Sequence, residues 1–323
     1  MPRERLPTLE RSRSTRWILT TGMILAMLAA TGAGAGQAQA WAPAFATDSM
    51  ASDPGHPMTI YLGTNYDSMF KSVDGGLTYA RSSTGLGEGS QVAVTAILLP
   101  SLHPGLVMAA TAYWVGTSQR NLVPQGLYLS TNAGQSWFQV SDVLGATAIT
   151  SLALDSGMVV TARSADGSIQ RVPLEEALFN LMRYGTPEAR RQAPLALVLL
   201  GSQTGQMELD RRFWTGQDMP ATTASLAALG TPAAIRTLVG ALADSQLTSR
   251  RHVAMQKLEY LGERAVPALI VALSAENPVL RANAAEMLGW IASSTAWPAL
   301  IQAMADEDLS VRVAAAWALS YIN

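Results

Sequence analysis

Between Val266 and Asn323 the chain repeats itself. Val266-Pro267-Ala268-Leu269 returns 31 residues later as Trp297-Pro298-Ala299-Leu300, Arg281 returns as Arg312, and Ala284-Ala285 as Ala315-Ala316. One period before Val266 lies Ile235-Arg236-Thr237-Leu238, and one period before Arg281 lies Arg250. A fixed period near thirty, made of two helix-length halves, marks a stacked helical-pair solenoid. Each unit can bury its apolar face only against its neighbours. The rest of the chain is then an attachment to that stack.

Helical periodicity sets in at Leu174. Helices are expected near 174–184, 187–201, 219–229, 232–243, 247–261, 265–273, 278–292, 296–305 and 309–321, with Ser202–Asp218 as an irregular connection that contains Arg211-Arg212-Phe213-Trp214 and has room for one short helix. Asn277 and Asp308 stand at equivalent positions as N-caps, and Pro278 suits a first helical position. Gly185, Gly201, Gly230 and Gly262 are placed to end helices. The pattern V-P-A-L-I-x-A-L followed by V-L-R-x-x-A-A-x-x-L-G resembles HEAT-like repeats of the phycobilisome-lyase type. The resemblance covers 218–323 well and 174–217 loosely.

The amino terminus has a different character. Arg3, Arg5, Arg11, Arg13 and Arg16 precede an apolar run from Trp17 to about Ala30, and a small-residue tail ends in Ala38-Gln39-Ala40. Such an order defines a secretory signal peptide over 1–40. The alternative is an uncleaved anchor through residues 17–36, long enough in principle to span a bilayer. Either way the remainder is expected to be exported: periplasmic, extracellular or on the outer face of a bacterial cytoplasmic membrane. Residues 41–57, with Pro43, Pro54, Gly55 and Pro57, read as a linker.

Residues 58–173 alternate short β-rich runs with Gly-rich turns, the pattern of antiparallel β structure. Two turns share one octet, 58 residues apart. Ser72-Val73-Asp74-Gly75-Gly76-Leu77-Thr78-Tyr79 carries Ser72, Asp74, Gly76, Thr78 and Tyr79 where Ser130-Thr131-Asn132-Ala133-Gly134-Gln135-Ser136-Trp137 carries Ser130, Asn132, Gly134, Ser136 and Trp137. A Ser and an Asp or Asn at this spacing can bond nearby turn amides, while Gly accepts positive φ. The octets resemble the Asp-box (BNR repeat) of sialidase-like and photosystem-assembly-factor β-propellers, where the motif joins the last two strands of a blade. Val159–Ile169 resembles the inner strands of a third blade without its box. A propeller closes with about four to eight blades, and this stretch supplies two to three. The expectation is an open fragment covered by the helical domain, the alternative being a ring completed by oligomerisation. The fold class expected is therefore a partial β-propeller of antiparallel strands (58–173) followed by an α-α solenoid of HEAT-like repeats (174–323).

Several function classes are excluded or disfavoured. Neither folded segment is basic: residues 41–173 carry a net −3 and residues 174–323 a net −2, so the footprint for nucleic acid is missing. Without cysteine there is no disulfide, thiolate metal site or thiol catalysis. His56, His103 and His252 have no ligand spacing, and the Asp74 turn lacks the D-x-D-x-D-G run of a calcium loop. No metal or cofactor is expected. Sialidase chemistry, implied by the Asp-box resemblance, needs clustered arginines, and the β segment holds only Arg81, Arg120, Arg163 and Arg171.

On the solenoid, Arg250, Arg281 and Arg312 form a ladder at 31-residue spacing, with Asp244 and Asp306 two periods apart. The resemblance to HEAT-like repeats implies inter-repeat rungs; the functional alternative is a stripe that recognises acidic groups. Trp290, Trp297 and Trp317, at helical spacing, are expected mostly in the core. The function expected is that of an exported, non-catalytic protein–protein interaction scaffold, an assembly factor or accessory subunit of an envelope or membrane complex. The alternative is a glycan-binding or sialidase-related module.

Overall fold

The computed structural model describes residues 47–87, 91–100, 105–116, 121–142, 146–244 and 247–322. The proposed export segment 1–40, the first residues of the proposed linker, His103 and Arg120 lie outside them. Three antiparallel meanders come first. Strands β1 (Thr47–Ser52), β2 (Ile60–Thr64), β3 (Met69–Ser72) and β4 (Ala80–Arg81) form one sheet in chain order. Strands β5 (Val92–Leu98), β6 (Val107–Val115), β7 (Asn121–Ser130) and β8 (Phe138–Ser141) form the second. Strands β9 (Ile149–Leu154), β10 (Val159–Ser164) and β11 (Ile169–Pro173) form a three-stranded third. Among the described residues the sheets close into neither a barrel nor a propeller ring.

The first sheet reaches back into the stretch read as a linker. Ser49 pairs with Gly63 and Ser52 with Ile60, and the Ser49 hydroxyl donates to the Val94 carbonyl at 2.8 Å. Thr-Asp-Ser-Met-Ala-Ser has none of the branched apolar residues that announce a strand. Its Pro and Gly neighbours instead form the turn into β2, where the Asp53 carboxylate accepts from the Gly55 amide.

The second sheet lies between two cores, and strand periodicity sorts its side chains. On β6, Val107 and Ala109 face the first sheet, in a core with Tyr61, Met69 and Trp137. Met108 and Ala110 face the other way, toward Val160, Ala162 and the first helices. A strand buried on both faces must be apolar throughout, and Val107 to Ala110 is.

Among the described residues ten α-helices follow: α1 (Leu174–Tyr184), α2 (Pro187–Leu199), α3 (Gln203–Thr215), α4 (Met219–Leu229), α5 (Pro232–Gly240), α6 (Thr248–Leu261), α7 (Val266–Ala272), α8 (Pro278–Ile291), α9 (Trp297–Ala303) and α10 (Leu309–Tyr321). Leu174 and Leu178 of α1, with Ala189, Ala193, Ala196 and Leu197 of α2, share a core with β6–β11, so the helices cover the open side of the β region. Asn277 and Asp308 cap α8 and α10 by accepting from the Val279 and Ser310 amides.

One helix departs from the sequence reading. Ser202–Asp218, expected to be irregular with at most one short helix, is mostly the 13-residue α3. Ser202 caps it by accepting from the Thr204 amide, and Gly216, at φ 75°, closes it while the Gln217 amide donates to the Arg212 carbonyl. Leu209 and Phe213, four apart, bury its inner face. The early Gly205 and the polar composition conceal that face in the sequence. Gly205 itself is packed tightly, with a Cβ there falling 2.7 Å from the Pro194 carbonyl oxygen.

Candidate functional site

The two octets fold alike. Each joins the third and fourth strands of its sheet. The Ser72 hydroxyl accepts from the Asp74 and Gly76 amides, and Asp74 Oδ1 accepts from the Thr78 amide at 2.9 Å. The Ser130 hydroxyl accepts from the Asn132 and Gly134 amides, and Asn132 Oδ1 accepts from the Ser136 amide at 2.9 Å. The bonds to Thr78 and Ser72 hold the Asp74 carboxyl down at about 2. Asn132 makes the same bonds without a charge: its Nδ2 donates to the Ser136 hydroxyl, where Thr78 instead donates to Asp74. The first closing aromatic, Tyr79, covers Gly76, while the second, Trp137, is buried and donates through Nε1 to the Ser82 carbonyl at 2.8 Å.

Between the octets lies an open cleft of about 300 Å³, lined by Lys71, Thr78, Tyr79, Arg81, Ala133 and Gln135. Its two cations are engaged from within. Lys71 Nζ donates to the Ala133 carbonyl at 2.9 Å above the Tyr61 ring, and burial lowers its pKa. Arg81 pairs with Asp67 over the Phe70 ring. Arg163 and Arg171 sit on the third sheet. Among the described residues no group of three or more His, Asp or Glu could hold a metal. His56 is paired with Asp53, and His252 with Gln256.

On the helical stack the arginine ladder is built from below. Arg281 is buried; its Nη1 donates to the Ala275 and Glu276 carbonyls of its own turn. Its Nε and Nη2 grip the Asp306 carboxylate of the next repeat, both at 2.8 Å. That fork and the Asp308 amide hold the Asp306 carboxyl below the usual carboxylate range, and Arg281 is raised in return. Arg312 Nη1 donates to the Asp306 and Glu307 carbonyls. Arg250 bonds Asp244 and the Trp214 carbonyl and lies over the Trp214 ring. Of the three, Arg281 joins two successive 31-residue repeats, and Arg250 reaches back to the end of α3.

Residues 266–323 match the family of HEAT repeats. No curated protein matches the chain. Among solved structures, an ancestral GH74 enzyme is similar at 20% identity and a TM-score of 0.31, over 40% of this chain and 17% of its own. Human deoxyhypusine hydroxylase is similar at 23% and 0.29, over 46% of this chain and 62% of its own. The chain thus spans less than two thirds of either structure.

The aromatic residues between 266 and 323 are not where periodicity puts them. Trp290 is 55% exposed, Trp297 is exposed as well, and Trp317 is half-buried. Trp317 packs between Trp290 and Tyr321, with ring centroids 5.6 and 4.5 Å apart. The three make a ridge across α8 and α10. Trp290 and Tyr321 stay outside the core and Trp317 packs only against its edge, the inner faces of α8 and α10 being held by Ala284, Met287, Leu288, Gly289, Val311, Ala315 and Ala318. A Cβ at Gly289 would fall 2.7 Å from the Trp317 ring and 2.8 Å from Ala318 Cα, so the two helices meet too closely to admit an indole between them. Sequence reasoning misses Tyr321 altogether, although it stands one period after Trp290.

Proposed function

We propose that this chain is an exported, non-catalytic interaction scaffold, an assembly factor or accessory subunit of an envelope or membrane complex. The observation that carries the reading is the Trp290–Trp317–Tyr321 ridge, an exposed aromatic surface, while the arginine ladder is mostly engaged internally. Aromatic rings on a rigid element are the residues that most often anchor protein partners. HEAT repeats commonly serve such contacts. The likeness of the second helices to phycobilisome-lyase-type repeats, and of the octets to the Asp-box of photosystem-assembly-factor propellers, supports the assembly role by analogy. Cross-linking and co-purification from the native envelope tests it. A specific partner lost on Trp290→Ala is expected; a free monomer without partners would sink the scaffold.

A second reading has one observation in its favour. Tyr66 and Trp114 stack at 5.5 Å and 17° on the β region, next to the exposed Tyr113. Stacked rings of this kind suit sugar faces, so a glycan-binding module is the alternative. Titrating oligosaccharides against tryptophan fluorescence separates the two, since a Trp114→Ala-sensitive response would favour the glycan.

A further inference from the structure

The cleft between the two octets holds a cation that the fold leaves partly unused. Strand alternation sorts the side chains around it. Tyr61, Lys71 and Ala80 are cross-strand partners and share one face of the first sheet, the face whose Tyr61 packs in a core with Trp137. Phe70 and Arg81 share the other face, where the guanidinium lies over the Phe70 ring and pairs with Asp67. Arg81 thus spends its charge away from the cleft, and the charge left inside it belongs to Lys71.

An ammonium carries three donors. One of those on Lys71 meets the Ala133 carbonyl at 2.9 Å, and the Tyr61 ring lies 5.3 Å away. Lys71 takes part in no ion pair among the described residues. Nor does the Ala133 carbonyl depend on it, because the Tyr61 hydroxyl donates to the same oxygen at 2.9 Å. Lysines ordinarily lay down their stems and keep the charged head in water. Here the head is half-buried without a counter-ion, and its lowered pKa records the cost.

Other polar groups of the cleft are unused as well. Tyr79 holds the position that Trp137 holds in the second octet. Trp137 bonds the Ser82 carbonyl, whereas the Tyr79 hydroxyl, over Gly76, has no hydrogen-bond partner among the described residues. The side-chain amide of Gln135 has none either. Val73 and Ala80, with the Tyr79 ring, supply an apolar wall.

We propose that this cleft binds a small monocarboxylic acid, its carboxylate on the two unused Lys71 N–H groups and its apolar body against Val73, Ala80 and the Tyr79 ring. Gln135 and the Tyr79 hydroxyl offer it further hydrogen bonds. A volume of about 300 Å³ stands at the lower end for small-molecule sites, which limits the ligand's size. Charge sets its class. One free cation matches one negative charge, and the fields of Asp53 on Lys71 and of Asp74 on Tyr79 oppose a second. A phosphate dianion is therefore the poorer ligand. The site does not depend on the scaffold reading, and neither result below touches that reading.

Benzoate is the probe, and benzamide is its uncharged isostere. Titration of the full chain, followed by calorimetry and by amide resonances, is expected to saturate at about millimolar benzoate. The shifts should centre on Ala80, Ala133, Gly134 and Gln135. Lys71→Met is expected to weaken binding by about tenfold or more, because a charge-assisted contact is lost, and Lys71→Arg to retain most of it. Gln135→Ala, at an exposed position that leaves the fold alone, should weaken it about threefold and keeps the test readable if Lys71→Met does not fold. Benzamide binding as well as benzoate, phosphate binding more tightly, or shifts centred away from the cleft would overturn the site. So would a titration that shows no saturation by about 50 mM benzoate.

Discussion

Gly289→Ala is expected to destabilise the chain, against the usual sign for a helix interior. In an ordinary helix the change stabilises by about 1 kcal/mol, because alanine loses less backbone entropy than glycine. Here the added methyl would lie 2.7 Å from the Trp317 ring and 2.8 Å from Ala318 Cα, against about 3.5–4 Å for a relaxed carbon pair. The ring could rotate, but the clash with the Ala318 backbone can be relieved only by moving α10 away from α8 by most of an ångström. Overpacking of this kind costs about 1–3 kcal/mol, and a clash with backbone belongs at the upper end. The cost therefore wins, with a net loss of about 2 kcal/mol. Ser320, one period on and exposed, is the control: Ser320→Ala should stay within about 0.5 kcal/mol. Urea unfolding followed by circular dichroism at 222 nm reads both. A midpoint for Gly289→Ala equal to or above the parent's would refute the claim that α8 and α10 meet at this glycine, and with it the placement of the aromatic ridge.

Three other outcomes follow from the geometry. Asp74, with its folded value near 2 against an ordinary 3.8, gives the first octet stability that is present above pH 4 and lost as pH falls from about 4 to about 2. Amide protection at Gly76 and Thr78 should fall in that window while Gly134 and Ser136, held by uncharged Asn132, keep theirs; equal loss at both turns would count against it. Trp137→Phe should cost about 1–3 kcal/mol, since the buried Ser82 carbonyl loses its indole donor, and an unchanged thermal midpoint would contradict this. Trp290→Ala should leave stability nearly unchanged, as its ring is half in solvent, yet abolish the partner capture that the proposed scaffold role requires; retained capture would move the interface elsewhere.

The repeat and the octets are legible because each is a local device written twice. The 31-residue period locates α7 to α10 and the Asn277 and Asp308 caps, and the resemblance to HEAT-like repeats implies the rung that Arg281 makes to Asp306. The Ser–Asp–Gly–Thr spacing locates both locked turns. Less legible is whatever depends on neighbours distant in sequence. Strand β1 has a polar sequence and exists through its ladder to β2. Helix α3 hides its amphipathicity under Gly205 and a run of polar residues, and its inner face, Leu209 and Phe213, is defined by the core it shares with Leu226, Ala234 and Leu238 of α4 and α5. The tryptophans escape the pattern because periodicity gives a helical face, whereas the closeness of two helices decides whether that face can hold a ring. That Arg281 reaches Asp306 while Arg312 bonds its own turn is invisible in sequence, where the two arginines match.

Why the third sheet stops at three strands follows from what replaces the fourth. In the first two sheets the third strand leads into an octet and then a short outer strand. After β11 the chain instead enters α1 at once, with Pro173 extended and Glu175 and Glu176 favouring a helix start. Leu174 and Leu178 then fall into one core with Ile149, Val160, Val172 and Phe138. The helical pair α1–α2 thus acts as a covering layer over the open face of the β region. Cutting between Pro173 and Leu174 would divide a single core rather than separate two domains. A fragment ending at Pro173 is expected to bind the dye ANS and to give poorly dispersed amide resonances, whereas the full chain does not; a cooperatively folded fragment would show that the β region stands without its helices.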